Sequence, residues 1–197
     1  NLGLEVTLLI RSNKILNGFD NDLSNSLTES MISSGIKILF NDELKSINKK
    51  KESYEIFLNS GLKLLKDNVL IAAGREPNLS SLNIDSIGLK MNGNFLEVNE
   101  FYQTSNQNIF AIGDIIDKPN LTPVAIEQGR VFSDNYFGGR NRKINYEYVP
   151  KAVFTNPEVS TVGLSEEDAI KIYLEENIEV FKCKFTSMSN TFKNNKS

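Results

Sequence analysis

Leu4-Glu5-Val6-Thr7-Leu8-Leu9-Ile10 opens the chain as an apolar, β-branched run, too short for a typical helix and bounded by polar residues, which predicts a buried parallel strand. Working outward, Asp20 is placed to cap a helix whose Leu23, Leu27 and Met31 recur every four residues. Gly35 would end that helix before a second strand, Ile36-Lys37-Ile38-Leu39-Phe40. Strand, helix, strand is the signature of an α/β fold.

Between Ser46 and Leu58 two alternating runs flank Lys49-Lys50-Lys51, predicting an antiparallel excursion whose lysines form a solvated turn. The apolar run Val69-Leu70-Ile71-Ala72-Ala73 reads as a further strand. A second unit opens after the turn-forming Gly74-Arg75-Glu76-Pro77-Asn78 and reaches a predicted strand, Asn108-Ile109-Phe110-Ala111-Ile112, closed by Gly113-Asp114. Pro123 suits a first helical turn, and Val124, Ile126, Val131, Phe132 and Tyr136 supply an apolar face for a helix ending near Gly138-Gly139. From about Tyr148 a third unit reads as strands at Ala152-Val153-Phe154 and Val159-Ser160-Thr161-Val162-Gly163. A helix capped by Ser165, with Asp168 three residues on, and a strand from Ile178 to Phe185 complete it. A domain rarely begins almost inside a strand, and the last unit lacks a stop signal, so both ends are expected to be cut.

The 197 residues are 40% hydrophobic, enough for a real core, and 25 acidic against 22 basic residues give no broad cationic surface for nucleic acid or acidic lipid. No run approaches the roughly 18 apolar residues of a membrane span, so no membrane partner is expected and a cytoplasmic setting is the default. One cysteine, Cys183, excludes an internal disulfide or a CxxC metal or redox motif, and no metal site is expected. Cys183 reads as an inert residue in its strand. There is no histidine, the usual acid/base group near neutral pH, so no catalytic residue is assigned and this chain alone is not expected to turn over.

Three stretches, Leu70 to Asn78, Asn108 to Asp114 and Leu121-Thr122-Pro123-Val124-Ala125-Ile126-Glu127-Gln128-Gly129-Arg130, follow one another in the order and spacing of the pyridine nucleotide–disulfide reductases. Phe154 to Glu167 resembles the opening of that family's dimerisation domain, and Phe185-Thr186-Ser187-Met188 a later strand of it. The resemblance covers essentially the whole chain and is closest to the glutathione reductase type. It implies doubly wound, Rossmann-like FAD/NAD(P)-binding domains followed by the start of an α+β dimerisation domain. Residues 1–78 would be the later part of the NADPH-binding domain, 79–147 the returning segment of the FAD-binding domain, and 148–197 the first part of the dimerisation domain.

Physical chemistry supports particular residues. The residue ending the second strand of a doubly wound half meets the adenosine ribose, and Arg11 stands there. Its forked donors suit a 2′-phosphate, so Arg11 argues for NADPH, with Lys14 adding charge. A second arginine commonly follows six positions on in the family, but this chain has Asn17. The resemblance places Arg75 against NADPH, with Gly74 permitting close backbone approach. It places Asp114, after Gly113, on the ribityl chain of FAD, and the backbone at Leu121 and Thr122, at a helix start, near the flavin O2 edge. Ala152 would pack near the flavin. Arg130 would contact a carboxylate of glutathione disulfide, in contrast to the small uncharged residue of trypanothione reductases. In such enzymes hydride passes from NADPH to FAD and on to a cysteine pair, helped by a histidine of the other subunit of a homodimer; neither the pair nor the histidine is in this sequence. Thioredoxin reductase or another disulfide reductase of the family, and a non-catalytic dinucleotide-binding fragment, remain alternatives.

Overall fold

The structure is a computed structural model that describes residues 3–185 and 188. It divides into two units, residues 1–71 with 152–197, and residues 72–151.

In the first unit, β1 (Thr7–Leu9) and β2 (Lys37–Leu39) pair in parallel, Leu8 opposite Ile38, joined by helix α1 (Asn21–Ser33). This is the expected crossover. Asp20 caps α1, accepting from the backbone N–H of Asp22 at 2.8 Å. At the other end the N–H of Gly35 (φ 85°) bonds Ile32 O and the N–H of Ile36 bonds Met31 O, a left-handed stop that glycine enters without strain. Leu27, Ile15 and Val159 form the core here, with Leu8, Ile10, Phe19, Met31 and Phe40 packed around them. Leu23 is 36% exposed rather than buried, because the inner position beside Leu27 belongs to Ser24, whose hydroxyl donates to Ile15 O.

Strands β3 (Leu44–Lys49), β4 (Tyr54–Leu58) and β5 (Lys63–Lys66) form the antiparallel excursion and bury Ile56 and Leu58. The lysine turn is exposed as expected, with Lys50 and Lys63 both reaching Glu55. Strands β8 (Lys151–Val153) and β9 (Val159–Thr161) pair with each other, and α3 (Glu166–Tyr173) starts at Ser165, whose hydroxyl accepts from the Asp168 N–H at 3.1 Å.

In the second unit, Leu79, Leu96, Tyr102, Ala111, Ile116 and Val131 form the core. A two-stranded hairpin, β6 (Met91–Asn92) and β7 (Phe95–Leu96), lies ahead of α2 (Thr122–Tyr136) in the chain. Pro123 lies in the first turn of α2, where its missing N–H costs nothing, and the buried face is Val124, Gln128 and Val131. Ile126, expected inside, is half exposed, whereas Phe132 and Tyr136 pack on Phe110 with ring centroids 5.1 and 4.2 Å away.

Three predicted strands are not strands. Val69–Ala73 joins no sheet, with Leu70 and Ile71 exposed; Ile178–Phe185 likewise pairs with nothing among the described residues. An apolar run becomes a strand only where another backbone accepts its ladder bonds. Asn108–Ile112 makes a single bridge, Phe110 to Gln103, although Ala111 is buried. Cys183 is accordingly exposed outside any strand, so the expectation of a strand-embedded thiol is corrected. Thr186 and Ser187 of the last quoted motif, and 189–197, lie outside the described residues.

Candidate functional site

The first cluster lies at the carboxyl edge of the β1–β2 pair. Ile10 N–H bonds Leu39 O at 2.8 Å and Asn41 N–H bonds Ser12 O at 3.1 Å, so Arg11 is fixed just beyond the ladder. Its guanidinium projects into solvent, with Nε 3.6 Å from Glu43 Oε1. Lys14 turns elsewhere: its ammonium donates to Asn21 Oδ1 at 2.5 Å and to Phe19 O. Asn17 bonds Ser12 within the same loop. Arg11 is thus a held but open cation, while Lys14 is committed to the start of α1. Ala152 lies in β8 and is exposed, as is the neighbouring Phe154.

The second cluster is built around the start of α2. Gly113 takes φ 79° in a short 3-10 turn, Gly113–Ile115, and its N–H donates to Gln128 Oε1 at 2.6 Å. Gln128 is 1% exposed; its Nε2 donates to the Tyr146 hydroxyl at 3.1 Å, which bonds the Tyr102 hydroxyl at 2.9 Å. Burial, reinforced by Tyr146, raises the Tyr102 pKa far above its ordinary value and keeps the phenol neutral. This chain of four groups locks the Gly113–Asp114 turn to the second turn of α2. It leaves the Asp114 carboxylate outward, 3.9 Å from Arg75 Nη1, an exposed and therefore weak pair that a ligand hydroxyl or phosphate can displace. Gly74, at φ 123°, precedes Arg75 with nothing within 4 Å of where a Cβ would stand.

Leu121 is the N-cap of α2 and supplies no side-chain cap, so the positive end of the helix is not covered by its own cap residue. The Leu121 N–H is bonded to Pro119 O, which leaves the helix start at Thr122 and beyond as the donor region. Arg130, two turns on, is largely exposed, with Nη1 3.5 Å from Glu127 Oε2. The structure therefore gathers Gly74, Arg75, Gly113, Asp114, Leu121, Thr122 and Arg130 in one unit, and Arg11, Lys14 and Ala152 in the other. Sequence reasoning missed Gln128, Tyr146 and Tyr102. The available signal was a polar residue four after Val124 and three before Val131, at the centre of an apolar stripe.

Comparison with known proteins bears on both clusters. The family model of the pyridine nucleotide-disulphide oxidoreductases matches residues 1–129, and the model of their dimerisation domain matches residues 149–197. The chain belongs to this family. This pyridine nucleotide-disulphide oxidoreductase chain therefore has the expected α/β class, an FAD/NAD-binding part followed by the dimerisation domain. Glutathione reductase of Nostoc sp. is 36% identical over 97% of the chain and 44% of that protein. Mercuric reductase of Lysinibacillus sphaericus is 37% identical over 85% of the chain and 32% of that protein. Trypanothione reductase of Trypanosoma congolense is 36% identical over 99% of the chain and 40% of that protein. The chain spans less than half the length of these relatives. Among the described residues no helix is long and apolar enough to cross a membrane, and no group of His, Cys, Asp and Glu is arranged to hold a metal.

Proposed function

We propose that this chain is part of an FAD-dependent, NADPH-consuming reductase of glutathione disulfide. The observation that carries the reading is the Gly113–Asp114 turn locked by Gln128 against a helix start that lacks a side-chain cap. Such a turn offers an outward carboxylate for the hydroxyls of a ribityl chain. The helix end at Leu121 and Thr122 offers a positive potential for the pyrimidine edge of a flavin. FAD, when bound, supplies the two-electron step that joins hydride donor to disulfide. The balance is NADPH and one proton with glutathione disulfide giving NADP⁺ and two molecules of glutathione.

Arg11 supports NADPH over NADH because a guanidinium is matched to a 2′-phosphate, and its competitor among the described residues is the exposed Glu43 carboxylate. Lys14, bound at α1, contributes charge from a distance rather than contact. Arg130 supports glutathione disulfide, whose carboxylates a guanidinium would hold, over the trypanothione of one relative. The domain reading stays 1–78, 79–147 and 148–197, the last part serving a homodimer in the cytoplasm. The chain by itself, with one cysteine and no histidine, does not turn over.

The test is NADPH oxidation by the enzyme carrying this chain, with glutathione disulfide, trypanothione disulfide and Hg(II) offered separately. Turnover on glutathione disulfide is expected. Turnover on either of the others without it would move the enzyme to another branch of the family, and oxidation of NADH at equal efficiency would remove the role given to Arg11.

A further inference from the structure

Arg130 carries a problem in its own helix. Glu127, one turn earlier, has Oε2 3.5 Å from Arg130 Nη1, and a carboxylate so placed competes with any carboxylate arriving from solution. The structure contains a counterweight. Arg142 donates through Nη2 to Glu127 Oε1 at 2.6 Å and through Nη1 to Asp134 Oδ2 at 2.5 Å, so one guanidinium spans two carboxylates on one face of α2. The Arg142 backbone is fixed as well. Its N–H donates to Asn135 Oδ1 at 2.7 Å, and its carbonyl accepts from Asn135 Nδ2 at 2.8 Å. Arg140 adds a second donor to Asp134 at 3.4 Å. Three guanidiniums thus share two carboxylates, a local excess of positive charge, and Arg130 is the most exposed of the three, at 71% against 65% for Arg140 and 39% for Arg142.

We propose that Arg142 is a positioning residue for substrate specificity: by binding Glu127 Oε1 more tightly than Arg130 binds Oε2, it keeps the Arg130 guanidinium open to a carboxylate of an anionic disulfide. The inference rests on the reading of Arg130 as the substrate-binding residue. Without Arg142, the cation left to Glu127 among the described residues is Arg130, and the two close on each other.

The experiment uses the holoenzyme with R142Q, E127Q, the double E127Q/R142Q, and R130Q. R142Q should raise KM for glutathione disulfide about threefold or more, the scale of a partly exposed ion pair, and leave kcat and the KM for NADPH unchanged. The double variant should return KM to the parent value, since a neutral amide in place of the Glu127 carboxylate no longer captures Arg130. It lacks the Arg142 bridge equally, so recovery separates charge capture from misfolding. A glutathione disulfide with its carboxylates esterified should show no difference between R142Q and parent. If R130Q raises KM but R142Q does not, or R142Q does and E127Q fails to rescue it, the role of Arg142 is overturned while Arg130 stands. If R130Q leaves KM unchanged, the reading of Arg130 and the inference fall together.

Discussion

The side-chain carbonyl of Gln128 accepts the backbone N–H of Gly113 at 2.6 Å, from inside the helix that follows the turn. Replacing Gln128 by Leu keeps the volume but leaves that N–H without its partner, while the Tyr146 hydroxyl keeps its bond to Tyr102. An unmet, partly buried donor costs about 1–3 kcal/mol, so the urea midpoint of Q128L should fall accordingly. Tyr146→Phe leaves the Gly113 bond intact but takes the partner from the buried Gln128 Nε2 and from the Tyr102 hydroxyl, so it should lower the midpoint by a comparable amount. Equal stability of Q128L and the parent would show that the turn does not depend on the bond.

Arg11 stands beyond the β1–β2 ladder with Glu43 as its exposed neighbour. In the holoenzyme, Arg11→Ala should raise KM for NADPH by about an order of magnitude, as for a lost charge-assisted bond, and change KM for NADH little. Glu43→Gln should lower KM for NADPH, because the carboxylate that competes with the phosphate for Arg11 is removed. Steady-state kinetics with both nucleotides decide this. Equal changes for the two would show that Arg11 does not read the 2′-phosphate.

Several carboxylates are held below their ordinary range, each chiefly by one partner. Arg142 does this for Asp134, Ser60 for Asp42, Lys63 for Glu55 and Lys171 for Asp168. A carboxylate whose folded pKa lies below its unfolded one stabilises the fold fully above the unfolded pKa, ordinarily about 4. That stability is lost as pH falls through the folded value. Urea midpoints of the parent and D134N should therefore differ at neutral pH and converge in acid. A gap that is constant with pH would mean that Asp134 acts through packing rather than charge.

Local signals were legible in the sequence and long-range ones were not. The α1 boundaries followed from Asp20 and Gly35, because a cap bond and a left-handed stop involve residues within one turn. The start of α2 followed from Pro123, and that of α3 from Ser165 and Asp168, for the same reason. Of the candidate site residues, Arg11 follows β1 and Leu121 and Thr122 start α2, whereas Gly74, Arg75, Gly113 and Asp114 follow runs that form no strand. Gln128 was hidden because its partner is 15 residues away across a turn, and Arg142 because its two acceptors share a face only once α2 has formed. The runs at 69–73 and 178–185 misled because apolarity reports a preference for burial, not the presence of a neighbouring strand.

Asp20 holds two helices at once. Its Oδ1 accepts from Asp22 N–H at the start of α1, at 2.8 Å, and its Oδ2 accepts from Glu166 N–H at the start of α3, at 2.9 Å. Asn21 N–H returns the connection by donating to Glu167 Oε1 at 3.2 Å. Two positive helix ends therefore meet on one carboxylate, which satisfies a donor of each and offsets both dipoles. A single N-cap is worth about 1 kcal/mol, so Asp20→Ala should cost about twice what Ser165→Ala costs, since Ser165 serves α3 alone. Asp20→Asn, with one acceptor oxygen, can satisfy α1 or α3 but not both and should fall between them. Denaturant midpoints for the three variants, with hydrogen exchange at Asp22 and Glu166, separate the possibilities. Loss of protection at Asp22 alone in D20A would reduce Asp20 to an ordinary cap, whereas loss at both N–H groups would establish the shared one.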